Sequence, residues 1–218
     1  MEQNQQQQPP VFNQPQQQMP PQMPQYQPRV TARPQMGFLE AVKTCLKKYA
    51  DFKGRARRSE FWWFVLFLLI VYVAGSFVAG LIATGLASVT GMDASRIAIV
   101  LTGLLMLAFL IPFLAVLTRR LHDTGRGGWW VALFAVIGLL YGGSYSYLMW
   151  PLLDKMGTTN PYELASLITD AMMSSPALAT VLSFSGMASL ILAIIFLVFT
   201  VLDSKWGVNK YGPSPKYQ

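Results

Sequence analysis

The sequence predicts an all-α integral membrane protein: four transmembrane helices, an amphipathic interfacial helix before them, and a disordered Gln/Pro-rich arm at the N-terminus. Three observations carry this reading. The 218 residues are 53% hydrophobic and only 12% charged, against about 25% charged in a typical soluble domain, which is too little to coat a globule of this size. Four apolar runs, 61–82, 97–117, 129–150 and 178–202, contain no Asp, Glu, Lys, Arg or His, and each reaches the roughly 20 residues a helix needs to cross the hydrocarbon core. The six tryptophans sit at the ends of these runs or just beyond them, where an interfacial aromatic belt belongs.

Residues 1–36 are a compositional world of their own, with 13 Gln and 8 Pro and charges only at Glu2, Arg29 and Arg33. Such a stretch buries too little to offset its ordering entropy. It is expected to be disordered, with polyproline-like turns near Pro20-Pro21 and Pro24, either a plain tail or a flexible docking arm. The first residues lack the basic start and apolar core of a secretory signal, so insertion is expected to use the internal runs. In 37–50, Phe38, Val42, Cys45 and Tyr49 recur at helical spacing with Leu39 and Leu46 beside them, and Glu40, Lys43, Lys47 and Lys48 fall mostly opposite. This is a short basic amphipathic helix, expected to lie in the membrane interface with its apolar face down.

None of the four runs alternates apolar and polar residues, so strands are excluded, and a helix satisfies its own backbone groups in lipid. Trp62, Trp63, Trp129, Trp130, Trp150 and Trp206 are the candidate interfacial anchors. Nine Lys/Arg precede the first run; Arg119, Arg120 and Arg126 follow in 118–128; Lys205, Lys210 and Lys216 lie in the tail. Only Arg96 and Lys155 fall in the other connections, 83–96 and 151–177. Fifteen against two predicts a multi-pass membrane protein with both termini in the cytoplasm. It also accounts for the net charge of +7 through anionic headgroups as partners, with no nucleic acid needed.

The outer connection 151–177 is expected to hold one short helix. Asn160 caps it, Pro161 takes its first position, Glu163 stands where a capping-box acid would, and Leu164, Leu167, Ile168, Ala171 and Met172 form a stripe. Pro176 then resets the backbone before the last span. Gly75, Ala79 and Ala83 in the first span, and Gly138 with Gly142 in the third, permit close approach of helices and are expected to serve packing within the bundle. Pro112 should kink the second span.

The densest motif is Arg119-Arg120-Leu121-His122-Asp123-Thr124-Gly125-Arg126-Gly127-Gly128-Trp129-Trp130, linking spans two and three. Read structurally, Arg119 and Arg120 end a helix where cations suit its dipole and snorkel to phosphates, Asp123 or Thr124 caps, and the glycines turn the chain. Read functionally, Arg119, Arg120 and Arg126 make an anion or lipid-headgroup site with backbone donors at the glycines, and His122 adds a pH-sensitive group or, in an enzyme, the acid/base. A second motif runs from Tyr49-Ala50-Asp51-Phe52-Lys53-Gly54-Arg55-Ala56-Arg57-Arg58-Ser59-Glu60 into Phe61-Trp62-Trp63. Gly54, Arg55, Arg57 and Arg58 extend the basic face, and Asp51 or Glu60 is expected to pair with an arginine of 118–128. A third motif, Gly207-Val208-Asn209-Lys210-Tyr211-Gly212-Pro213-Ser214-Pro215, is a turn that folds the tail back under the bundle. A single cysteine, Cys45, and a single histidine, His122, rule out an internal disulfide and a multi-cysteine metal site; no metal or cofactor is expected. The spans hold no acidic residue of the kind that coupled carriers keep at membrane depth.

Together the three motifs resemble a bacterial inner-membrane family, domain of unknown function 805, over about 38–218. The resemblance implies a small four-span membrane domain without an established activity, and it transfers no catalytic residue. The Gln/Pro arm, the longer 151–177 segment, and Asp203-Ser204-Lys205-Trp206 in place of a Pro-Gly-Thr-like turn depart from the family pattern. The function expected is non-catalytic: organising membrane lipids or a membrane or cytoplasmic protein partner through a basic cytoplasmic face made of Arg119, Arg120, His122, Asp123, Arg126, Gly54, Arg55, Arg57 and Arg58. A small-solute transporter or channel would instead need a continuous polar path through the bundle. An intramembrane enzyme would need a cavity that brings His122 to a nucleophile or an acid.

Overall fold

The computed structural model describes residues 31–155 and 160–217. The arm expected to be disordered lies outside the described residues as far as residue 30. Residues 31–36 are described and lie along the surface, where Arg33 N–H donates to the Lys216 carbonyl at 2.8 Å and Ala32 bridges to Tyr217.

The helices are α1 (Phe38–Lys47), α2 (Arg58–Thr90), α3 (Ala94–Asp123), α4 (Trp129–Met149), α5 (Pro161–Ser174) and α6 (Pro176–Val201), and a 3₁₀ turn, Trp150–Lys155, follows α4. Four of them, α2, α3, α6 and α4 with its 3₁₀ extension, are long and apolar enough to cross a membrane.

The first two spans are longer than the apolar runs. Helix α2 continues past residue 82 because Ala and Leu carry it onward and its hydroxyls bond back to their own helix, Thr84 Oγ1 to Gly80 O at 2.6 Å and Thr90 Oγ1 to Leu86 O at 2.8 Å. It stops where Gly91 turns left-handed (φ 70°). Helix α3 starts at the Asp93 cap, whose carboxylate accepts from Arg96 N–H at 3.1 Å, and runs through Arg119 and Arg120 to Asp123. Charge marks where a helix leaves hydrocarbon, not where it ends. In α5 the Asn160 side chain accepts from Glu163 N–H at 2.8 Å, and the half-buried positions are Leu164, Leu167, Ile168, Ala171 and Met172, the expected stripe.

The spans pack chiefly as two pairs, α2 with α3 and α4 with α6. The small stripe of α2 faces α3: Ala79 and Ala83 are buried, and a methyl placed on Gly75 would come within 2.2 Å of the Leu105 side chain. Gly138 and Gly142 were expected to serve packing too, but methyls there would meet nothing within 4 Å among the described residues; the contacts to α6 are made by larger side chains, Phe134 on Phe196 and Tyr141 beside Gly186.

The core gathers at one end, around Phe61, Phe64, Val116, Leu117, Leu121, Val131, Leu192 and Phe196. Helix α1, expected to turn its apolar face to the membrane, instead docks Ala41, Val42 and Cys45 on this core, where they are buried, because the cluster around Phe61 and Leu121 offers that face a protein surface, and Leu39 is left 68% exposed. Just beyond it, Tyr49 Oη donates to the Ala108 carbonyl. That carbonyl lies four residues before Pro112, which has no N–H to offer it.

Candidate functional site

The three sequence motifs meet at the C-terminal turns of α3. The helix closes in a Schellman arrangement: Gly125 N–H donates to His122 O at 3.0 Å and Arg126 N–H to Leu121 O at 2.9 Å, with Gly125 left-handed at φ 81°. This is a standard way to satisfy the last carbonyls of a helix. Further donors reach this helix end from elsewhere in the chain. Ala56 N–H donates to Arg119 O at 3.0 Å, Lys205 N–H to Asp123 O at 3.2 Å, and Asn209 Nδ2 to His122 O at 3.0 Å. One helix end thus collects the segment before α2 and the tail after α6.

Asp123, fully buried, is the hub. Its carboxylate accepts from Arg55 Nε at 2.8 Å, from Arg120 Nη1 at 2.6 Å and from Ser204 Oγ. The remaining guanidinium donors go to backbone. Arg120 donates to the carbonyls of Thr200 at 3.1 Å, Ala56 at 3.3 Å and Leu202. Arg55 donates to those of Gly207 at 2.9 Å, Gly212 at 3.2 Å and Lys205. A second buried pair joins Arg119 Nη1 to Glu60 Oε1 at 2.5 Å. Cys45 Sγ donates to the same oxygen at 3.8 Å, and Arg119 Nε and Nη2 have no hydrogen-bond partner among the described residues. Burial, reinforced by the Glu60 carboxylate and opposed by Arg119, pushes the Cys45 thiol up to about 12, so it is neither a thiolate nor a ready nucleophile. Burying charge costs several kcal/mol per ion unless partners replace water; here carboxylates and carbonyls from four chain segments replace it.

His122 packs beside this hub. Its Nδ1 lies 3.2 Å from the Gly54 carbonyl, and since a carbonyl only accepts, Nδ1 carries the proton. Its ring stacks on Tyr211 at 3.7 Å and 7°. Gly54 reaches this position through a left-handed turn (φ 80°).

The expected basic face therefore splits in two. Arg55, Arg119, Arg120 and Asp123 are interior. Arg119 and Arg120 do not snorkel, because Glu60, Asp123 and the carbonyls at the end of α6 take the place of phosphate and water. Of the two acids expected to pair with an arginine of 118–128, Glu60 does so, while Asp51 instead accepts from Lys53 N–H at 3.0 Å. Arg126 lies over the Phe199 ring at 3.7 Å. Arg57 and Arg58 stay at the surface. Arg57 donates to the carbonyls of Pro34 at 2.5 Å and Arg33 at 2.9 Å. Arg58 pairs with Asp203 at 2.7 Å, and Lys216 holds the same carboxylate at 2.7 Å. Partial burial works against the Asp203 charge, but hydrogen bonds from Lys216, Arg58 and Ser204 N–H outweigh it and hold the carboxyl at about 2.

Of the candidate anchors, Trp62 and Trp63 lie early in α2, Trp129 and Trp130 open α4, Trp150 opens the 3₁₀ turn and Trp206 lies in the tail. Sequence reasoning did not single out Ser204 or Asp203. Both sit in the segment that departs from the family pattern, and a lone Ser and Asp after an apolar run carry no spacing signal.

Residues 49–213 match the family described as "Protein of unknown function (DUF805)". Among similar proteins, Inner membrane protein YhaH and Inner membrane protein YhaI of Escherichia coli K12 are each 40% identical over 91 residues, which is 42% of this chain and 69% and 67% of theirs. Uncharacterized protein YiiR of the same organism is 33% identical over 98 residues, 45% of this chain and 58% of that one. No solved structure matches the chain.

Proposed function

The chain belongs to the DUF805 family, and on that footing we propose that it is a non-catalytic inner-membrane protein that keeps both termini in the cytoplasm and organises anionic lipid or protein partners through the rim of its basic end. One observation carries this reading. The reactive-looking residues of the motifs, Arg55, Arg119, Arg120, Glu60 and Asp123, pair with one another in the interior, while Lys43, Lys47, Lys48, Lys53, Lys205 and Lys210 stay exposed around them. A rigid plug with a cationic rim attracts an anionic leaflet at about 1 kcal/mol per Lys or Arg near the surface. His122 stacks on the Tyr211 ring and donates to the Gly54 carbonyl, and among the described residues no side-chain nucleophile or acid is hydrogen-bonded to it, which favours this reading over catalysis.

Two measurements test it. In bilayers of equal phosphatidylglycerol and phosphatidylcholine, the purified full chain retains the anionic lipid preferentially in native mass spectrometry; equal retention of both lipids removes the reading. In intact cells an impermeant maleimide labels Ala165→Cys and reaches Lys210→Cys only after permeabilisation; the reverse pattern overturns the orientation.

A further inference from the structure

We infer that the cleft between the start of α2 and the returning tail binds one anionic phospholipid, with its phosphate on Arg57, Arg58 and Lys216 and an acyl chain along Trp62, Trp63 and Leu66. The inference deepens the proposed lipid role and rests on it.

The cleft encloses about 500 Å³ and is lined by these residues together with Gln35, Ser59 and Ser204. That volume falls within the roughly 300–1,000 Å³ of small-molecule sites. Its polarity is graded along one helix face. Arg58, Trp62 and Leu66 are four residues apart, so cation, amphipathic ring and aliphatic side chain follow one another over about 12 Å of helix rise. That order is the order of a phospholipid from headgroup to chain, and tryptophan belongs at the level between them. The aromatic wall is fixed in place: Trp63 Nε1 donates to the Met36 carbonyl at 3.0 Å, and its ring meets Phe38 edge-on at 5.8 Å.

The charge also fits. Arg58 and Lys216 share the single carboxylate of Asp203, and the hydrogen bonds of Arg57 go to two backbone carbonyls. Among the described residues three cations face this one carboxylate, which leaves two positive charges for an anion. A free phosphate would use only the polar half of the cleft and an apolar ligand only the other half. A phospholipid uses both.

The test counts lipids retained by the full chain from bilayers of equal phosphatidylglycerol and phosphatidylcholine, with folding of each variant checked by its melting curve. Arg57→Gln with Arg58→Gln lowers phosphatidylglycerol retention by more than about tenfold, at about fivefold per charge. Asp203→Asn, which removes the carboxylate paired with Arg58 and Lys216, raises retention by about fivefold, a gain that misfolding does not produce. Lys43→Gln with Lys47→Gln removes the same charge from the rim at residues that do not line the cleft, and lowers retention by a far smaller factor than the Arg57 and Arg58 pair does. Soluble glycerol phosphate does not displace the lipid.

Equal losses in the two double variants, or a fall in folded Asp203→Asn, overturn the cleft while leaving a diffuse basic face intact. Displacement by glycerol phosphate assigns the cleft to free anions and overturns the lipid. No preference for phosphatidylglycerol in the unmodified chain removes the cleft and the broader reading together.

Discussion

The two ends of α3 are held in opposite ways. From Ala115 to Asp123 every residue is buried, whereas from Ala94 to Ile111 none is. At the buried end, side chains reach across the molecule: Arg55 meets Asp123, Arg119 meets Glu60, and Arg120 meets the carbonyls at the end of α6. Near the other end hydroxyls bond within their own helix, as Thr84, Ser88 and Thr90 do, and Val89 is 85% exposed. Apolar helix faces gain little by meeting one another in lipid, since lipid tails are as apolar as leucine. Polar groups that must find partners supply the pairing instead. The α2–α3 and α4–α6 pairs are tied at one end by a buried ionic hub, and the rest of each span is left to bilayer and van der Waals contact.

The largest effect should come from removing the hub. Asp123→Asn strands two buried guanidinium groups and is expected to lower stability by about 3–5 kcal/mol, read as the thermal midpoint in detergent. Asp93→Asn, at the exposed end, keeps a good cap and should leave the midpoint near that of the unmodified chain. Equal effects at the two ends would dissolve the contrast. Glu60→Gln comes next, with a loss of about 1.5–3 kcal/mol as a charge-assisted hydrogen bond weakens. Its distinctive readout is Cys45. In the unmodified chain this thiol is buried and protonated well past neutral pH, so maleimide labelling should be slow; it should quicken when the Glu60 contact loosens and α1 opens.

Much of this architecture was legible in the residues. Four long uncharged runs, a polar–apolar stripe in α5 and an Asn-Pro start were enough, because lipid leaves a helix few alternatives and a cap has a short-range signature. The Glu60 pairing was open to expectation because an acid before one span and arginines after another must lie at the same membrane depth. The interior position of Arg119 and Arg120 was not legible. Positive charges at a span end satisfy the same pattern whether they snorkel or turn inward. Their partners decide: Glu60 for Arg119, and for Arg120 the Asp123 carboxylate with the carbonyls of Thr200 and Leu202, brought to the end of α3 across some 80 residues of chain. The glycine pair at 138 and 142 misled for a related reason: small residues permit close approach, but which face meets a neighbour depends on where α6 crosses.

The spans themselves offer a smaller test of the same contrast. Gly75→Ala places a methyl 2.2 Å from Leu105 Cδ2, and the flexible leucine tip must move. A loss of about 1–2 kcal/mol follows from overpacking, and it should vanish in a Leu105→Ala background if this contact is its source. Gly138→Ala meets open space and should be neutral or gain up to about 1 kcal/mol from helix propensity. A loss at Gly138 would mean that a second chain covers this face in the bilayer.

The smallest stability effect belongs to the exposed acid that joins the tail to α2. The Asp203 carboxyl is held at about 2, below its ordinary 3.8, so the folded protein binds a proton there less readily than the unfolded chain does. The resulting stabilisation is fully present above about pH 4 and disappears as pH falls through 2. Asp203 is 47% exposed in its side chain, so solvent screening keeps the contribution below about 1 kcal/mol. Stability of Asp203→Asn and of the unmodified chain should therefore differ slightly at pH 6 and converge near pH 2. A gap that persists at pH 2 would mean that Asp203 acts through packing and not through its charge. The same substitution is expected to raise retention of anionic lipid while lowering stability. Those opposite signs are what a carboxylate competing with a phosphate for Arg58 and Lys216 produces, and a fall in both quantities would leave Asp203 a structural residue alone.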